Sequence, residues 1–379
     1  MAYTIDDKYR DDLAETVVEI WAKVEEELIR EIAARVSATG ITETGEFKAR
    51  LLAEANLLNE RAVEIISRYS GLSEQQVENV IRSVGLNVVE RDEEIYRRAV
   101  ETGQMTLEVL PVEQSPRLKV TMQACVDNAI FGLSNLTCTR MINCNNGIES
   151  LTKSTRRAYY NAVNRAFMEV RIGGKTTAQA VKQSCTELAD QGIQMLYWET
   201  GHKDRIEVAT RRNIRTAIAQ TGGEMTMSRM DDYQYDLVEV SSHMGARPSH
   251  WVWQGQIYKL HGSTDEYKNF YEATEYGTLL GLCGVNCRHQ FFPYFPGINP
   301  VFEQYDEEKN QEMYDKTQEQ RALERKIRKA KLRKAAAEGE GEDTTAANAA
   351  VRKAQKDMRD WLKENPEMRR MYDREQVYT

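Results

Sequence analysis

Between Asp236 and Pro300 the chain changes character, and that change limits what the whole can fold into. The segment holds four of the five histidines, two of the six cysteines and two of the five tryptophans. The sequence on either side is charged, helix-forming and poor in proline. A fold for this chain must therefore join long helices to one compact, turn-rich insert. Inside the segment, Leu237–Val240 is a short β-prone run between polar residues, and Ile257–Leu260 reads as a second strand. Pro248 opens a helical turn that Gly255 closes, which sets His250 and Gln254 four residues apart on one face. The run Tyr276-Gly277, Gly281, Gly284 asks for positive φ or close backbone approach. Phe291–Phe295, interrupted by Pro293, suits an edge strand or an extended terminal segment. Together these make a small α+β module.

The remainder is written in helical periods. From Ile5 to Val36, apolar residues recur at Leu13, Val17, Ile20, Val24, Leu28, Ile32 and Val36, a stripe on an otherwise charged helix. Further helices are predicted over 46–69, from Ser73 with Gln76 as a capping box, and over 89–102. After a proline-bounded connector at 107–115, Ser115-Pro116 is a cap and first turn for a helix through Ile130. A polar, cysteine-containing stretch at 135–147 reads as irregular. Helices then cover 151–170, 177–198 and 202–220, with breaks at Gly173-Gly174 and Gly201, and Gly222-Gly223 ends the bundle. Beyond Pro300 come a charged helix over 303–337, a flexible acidic break at 338–345, and a last helix over 347–362. The expected fold is mainly α, with helical N-terminal (1–106) and middle (107–223) regions, the α+β module (224–300) and a charged helical tail (301–379).

Composition excludes several functions. At 379 residues the chain can bury a substantial core, and its net charge of −8 is the wrong sign for a dedicated nucleic-acid coat. The acidic N-terminus has no apolar signal core, and no run approaches the length of a membrane span. The expectation is a soluble protein made in a cytoplasm, with its cysteines as free thiols.

The order Arg247-Pro248-x-His250, Trp253-Gln254-Gly255, then Tyr276-Gly277, Gly281-Leu282-Cys283-Gly284 and Asn286-Cys287-Arg288-His289, with Pro293 and Gly297 following, resembles the phage minor capsid protein family (minor capsid protein 2 type). It is more distantly similar to the Mu F-like minor head proteins, and His243 belongs to the same pattern. A weaker resemblance reaches back to about Ser150. The resemblance implies a structural virion protein of the head, bound to portal or major capsid subunits, made in the host bacterial cytoplasm and acting in head assembly without turnover. Two other readings remain: an internal protein that touches DNA and leaves during ejection, and a hydrolytic or toxin-like enzyme, since Mu F-like modules sometimes accompany effector domains. No catalytic segment is left once the helices are assigned.

Several side chains in these segments admit both a chemical role and a plainer one. His243, His250, Cys283, Cys287 and His289 offer the donors of a tetrahedral zinc site, yet their spacing fits no zinc ribbon or finger. Packing and turn hydrogen bonds are the favoured reading, with no cofactor and no catalytic residue. A Cys287 nucleophile lacks an orienting acid at a recognisable spacing. Arg247 and Arg288 read as hydrogen-bond hubs, because a planar guanidinium satisfies several acceptors at once. Trp251, Trp253 and the Phe291–Phe295 aromatics suit either an anchor for a partner protein or a small aromatic core, and Trp253 reads as core. Gly173-Gly174-Lys175-Thr176 lacks the first glycine of a phosphate loop, since position 169 is Glu169. The basic run Arg321–Lys334 is either a solvated helix face or a weak contact for packaged DNA. The stripe of Leu13, Val17, Ile20, Val24 and Leu28 is the expected partner-binding face, laid as a helix in a groove.

Overall fold

The computed structural model describes residues 6–41, 45–106, 111, 114–137, 150–172, 175–197, 201–299, 301–339 and 343–376. Residues 138–147 of the stretch expected to be irregular (135–147), the Gly173-Gly174 break and residues 340–342 of the acidic break lie outside them, while 135–137 belong to a helix. The chain is mainly helical with a small mixed sheet late in the sequence.

Helix α1 spans Asp7–Thr39 and α2 spans Gly45–Glu101. At 57 residues, α2 is about 85 Å long and replaces three predicted helices. Ser73, read as a cap, lies mid-helix and accepts the indole N–H of Trp21 at 2.8 Å, while Ser70 bonds back to the Ile66 carbonyl. A buried tryptophan donor claimed the hydroxyl that the local pattern assigned to an orphan N–H. Further bonds between Tyr9 and Ser83, Thr16 and Gln76, and Arg35 and Glu54 run α1 antiparallel along α2.

Ser115 caps α3 (Pro116–Thr137) by accepting from Leu118 N–H at 3.2 Å, and its hydroxyl also reaches Asp232. Ser150 caps α4 (Leu151–Arg171), and Thr176 with Gln179 forms a capping box on α5 (Thr177–Gln191). The helix predicted to reach 198 stops at Gln191. There Glu25 accepts the Ile193 N–H at 2.9 Å, and the chain leaves as β1 (Gln194–Leu196), antiparallel to β2 (Lys203–Arg205). Helix α6 (Ile206–Tyr233) runs straight through Gly222-Gly223, where an end was expected. A Cβ at Gly223 would lie 2.7 Å from the Tyr276 hydroxyl and 3.2 Å from the Phe291 ring. The glycine is there for close approach of aromatics, so the pair does not end the helix.

The late segment forms β3 (Leu237–Val240), α7 (Pro248–Trp251), β4 (Ile257–Lys259), β5 (Lys268–Asn269), α8 (Phe270–Thr274) and β6 (Phe291–Pro293). Strand order is β5-β4-β3-β6. Strand β3 pairs antiparallel with β4 and β6, and β4 pairs parallel with β5. Strand β6, with Pro293 in it, is an edge strand as expected. Helices α9 (Glu307–Gly339) and α10 (Thr345–Glu364) and a 3₁₀ turn (Tyr372–Glu375) complete the described chain.

Two compact units emerge, each assembled from distant segments: residues 1–17, 74–133 and 211–318, and residues 18–73, 134–210 and 319–379. The first holds the mixed sheet around an aromatic core of Tyr96, Tyr258, Phe270, Phe292 and Phe295, with Tyr96 and Tyr233 rings 4.3 Å apart. The second packs α4 on α5 and stacks Phe47 on Phe167 at 5.4 Å. Its α9 carries the basic run. Arg328 pairs with Glu207 at 3.1 Å, Lys329 and Arg333 with Asp190, and Lys334 with Glu338. Among the described residues, no helix is long and apolar enough to cross a membrane.

Candidate functional site

The late module gathers its polar side chains around one glutamine. Pro248 starts α7, and the Gln254 N–H returns to the His250 carbonyl at 3.2 Å. Gln254, with no exposed surface, accepts through Oε1 from the His243 backbone N–H at 3.1 Å and faces His289 Nε2 at 3.0 Å. A backbone N–H can only donate, so this amide atom is oxygen and His289 Nε2 carries the proton. His289 Nδ1 is then a lone pair, 3.7 Å from Cys287 Sγ. His250 Nε2 lies 2.8 Å from the Leu280 carbonyl and must donate as well. Three donor atoms, one each from buried His250, Cys287 and His289, fall within 4.8 Å of one another.

Aromatic rings wall this cluster in. Trp253 packs with its ring 4.6 Å from His250 and 4.7 Å from His289, and the His243 ring stacks 4.4 Å from His289. Burial pushes His250 down to about 4 and His289 well below the ordinary imidazole range, so both rings are neutral. The same burial raises the Cys283 and Cys287 thiols. Backbone strain marks the turn, since Cys283 (φ 59°) and Asn286 (φ 56°) sit in the left-handed region without being glycine. At Gly281 and Gly284 an added Cβ would run into the Glu275 and Leu279 carbonyls, which answers why those positions are glycine.

Of the sequence-predicted residues, the fold brings together His250, Gln254, Cys287 and His289, with His243 stacked at the edge. Cys283 is buried nearby but stands outside the three-donor set. Arg247 donates to the Val285 carbonyl at 2.9 Å. Arg288 reaches Asp11 at 3.4 Å, while its carbonyl accepts from Arg10 at 2.9 Å. Trp253 and Phe291–Phe295 are core, and Trp251 donates its indole N–H to the Tyr305 carbonyl at 2.7 Å. Cys287, His289 and Gln254 are ordered like a nucleophile, a base and an orienting group. A buried thiol raised above its usual range and closed from solvent is not an activated one.

Two expected surfaces are placed differently. Val17, Val24 and Leu28 have no exposed surface, and Leu13 and Ile20 are half-buried. The stripe on α1 is therefore core of the chain itself, because uninterrupted α2 supplies the length of helix needed to cover it. In the basic run, Arg328, Lys329, Arg333 and Lys334 are engaged in ion pairs within their own unit, and Arg325 and Lys326 are exposed. Sequence reasoning passed over Arg91, which donates to the Phe291 carbonyl at 3.1 Å and to Gln290. It also passed over Arg229, fully buried against Glu93 and Asp232. The available signal was a charged residue at a position the helical period assigns to the interior.

Residues 5–363 match the family model described as phage minor capsid protein 2. A structural protein of Lactococcus phage LL-H is 27% identical over 359 residues, covering 92% of this chain and 94% of that protein. A structural protein of Lactococcus phage mv4 is 38% identical over 105 residues, covering 27% of this chain and 85% of that protein. No solved structure is significantly similar.

Proposed function

The chain belongs to the phage minor capsid protein 2 family, a structural component of the virion, and on that premise we propose that it joins the portal vertex during head assembly and performs no turnover. The observation that carries this reading is the extent of the match, residues 5–363. It runs through the helices, the late module and most of the tail, so no domain-sized stretch of this chain is left for an appended effector enzyme.

Contact with a partner then falls to surface that the chain leaves open. On α3, Val120 and Phe131 are 70% and 65% exposed, and with Ala124 they share one face at helical spacing. An open cleft of about 540 Å³ along α3 and α6 begins at Val120 and is lined by small side chains such as Ala124, Ala129, Gly132 and Ala217. An exposed aromatic beside a shallow cleft suits a helix from a portal subunit. The DNA-contacting alternative is weakened by the ion pairs that occupy most of the basic run.

Phe131→Asp should test this, because a side chain so exposed is dispensable for folding. In phage carrying the variant, the protein should remain soluble with unchanged helical signal, but drop at least about tenfold in purified heads and in co-purification with portal. Normal incorporation of the variant, or wild-type protein that co-purifies with DNA and not with portal, would overturn the reading.

A further inference from the structure

We propose that His250, Cys287 and His289 bind one zinc ion, tying the α7 turn to the chain entering β6. The spacing of these residues along the chain matches no zinc motif, but the fold supplies what spacing could not. Tetrahedral zinc with ordinary Zn–S and Zn–N bonds holds a sulfur and a nitrogen about 3.5 Å apart. Cys287 Sγ and His289 Nδ1 stand 3.7 Å apart. No pair in the three-donor set is separated by more than 4.8 Å, so closure onto an ion needs about 1 Å of side-chain movement.

The second observation is how the imidazoles are held. Each histidine donates its Nε2–H to a fixed acceptor, the Leu280 carbonyl for His250 and Gln254 Oε1 for His289. Metal-ligating histidines are oriented in this way, with one ring nitrogen donating outward and the other left as a lone pair. A thiol–imidazole hydrogen bond would account for Cys287 and His289 alone. It explains neither the convergence of His250 nor the third feature, the Gln254 side-chain amide. That nitrogen is buried with no hydrogen-bond partner among the described residues. A water completing the tetrahedron would give it an acceptor.

Charge also fits a mixed N₂S set. The guanidiniums of Arg10 and Arg247 face the cluster, opposing a bare dication and favouring a thiolate. On binding, the Cys287 S–H bond breaks, the sulfur keeps the electron pair and bonds the ion, and the proton leaves to solvent. Among the side chains described around the cluster, His243 and Cys283 are the other potential donors. Neither is required by the three-donor geometry.

The test uses the full chain, untagged, purified without added metal. Elemental analysis should find about one zinc per chain. Cys287→Ser and His289→Gln should fall to less than about a fifth of that, while the control His261→Ala, altering an exposed histidine paired with Asp236, keeps it. Should the variants fail to fold, the wild-type chain decides the matter. Metal-free protein titrated with cobalt(II) should develop tetrahedral visible bands and a thiolate charge-transfer band, and zinc should raise its Tm by roughly 3–5 °C. Wild-type protein without stoichiometric zinc, without the thiolate–cobalt band and with a Tm indifferent to chelator would overturn the proposal. Full zinc content in a folded Cys287→Ser chain would do the same.

Discussion

Glu239 allows a stability experiment whose sign and size follow from the fold. It sits in the middle of β3 with no exposed surface. One carboxyl oxygen accepts the Phe302 N–H at 2.6 Å, and the other has no hydrogen-bond partner among the described residues. Burial raises its pKa from 4.5 to about 7, and the single backbone donor offsets little of that. Between those values the folded chain holds a proton that the unfolded chain has released. Unfolding free energy therefore falls as pH rises through the window and stays low above it. The whole effect is about 3 kcal/mol, and about 2.5 kcal/mol of it lies between pH ~5 and ~8. Glu239→Gln keeps an oxygen for Phe302 and removes the titration. In urea unfolding followed by fluorescence, the stability of the Gln variant relative to wild type should rise by about 2.5 kcal/mol from pH ~5 to pH ~8. Taking the difference cancels other titrating groups, including the depressed histidines, which both chains share. A difference that stays constant across that range would refute the reasoning.

Two further outcomes test the placement of surfaces. Val24→Asp, at a fully buried position on α1, should cost at least about 3 kcal/mol and yield unfolded or aggregated chain by circular dichroism. A well-folded variant defective in particle incorporation alone would restore α1 as a partner face. Arg328→Ala removes an ion pair between two buried side chains, Arg328 and Glu207, and should cost about 3 kcal/mol, whereas exposed Arg325→Ala should stay within about 0.5 kcal/mol. Equal melting temperatures for the two would show that the basic run is a solvated face after all.

Features whose causes lie within a few residues are legible along the chain. Mainly helical character, the cap at Ser115, the turn opened by Pro248, and strands β3, β4 and β6 all follow from local capping, fixed proline φ and short β-prone runs. The resemblance carried by the Arg247–Gly255 and Gly281–His289 motifs led to the family for the same reason, since each is a contiguous pattern. Tertiary structure decided whatever depended on a distant partner. Ser73 reads as a cap until Trp21, 52 residues away, donates to it, and α2 then continues without a break. Gly222-Gly223 reads as a helix end until Tyr276 and Phe291 need the space beside it. The apolar stripe of α1 reads as an interface until α2 proves long enough to cover it. The spacing of His250, Cys287 and His289 along the chain fits no metal motif, and only the fold around Gln254 and the strained turn at Cys283 and Asn286 brings a donor atom of each within 4.8 Å of the others. In each case a buried hydrogen bond or van der Waals contact outweighs a local preference worth about 1 kcal/mol or less, and local sequence does not record where such partners come from.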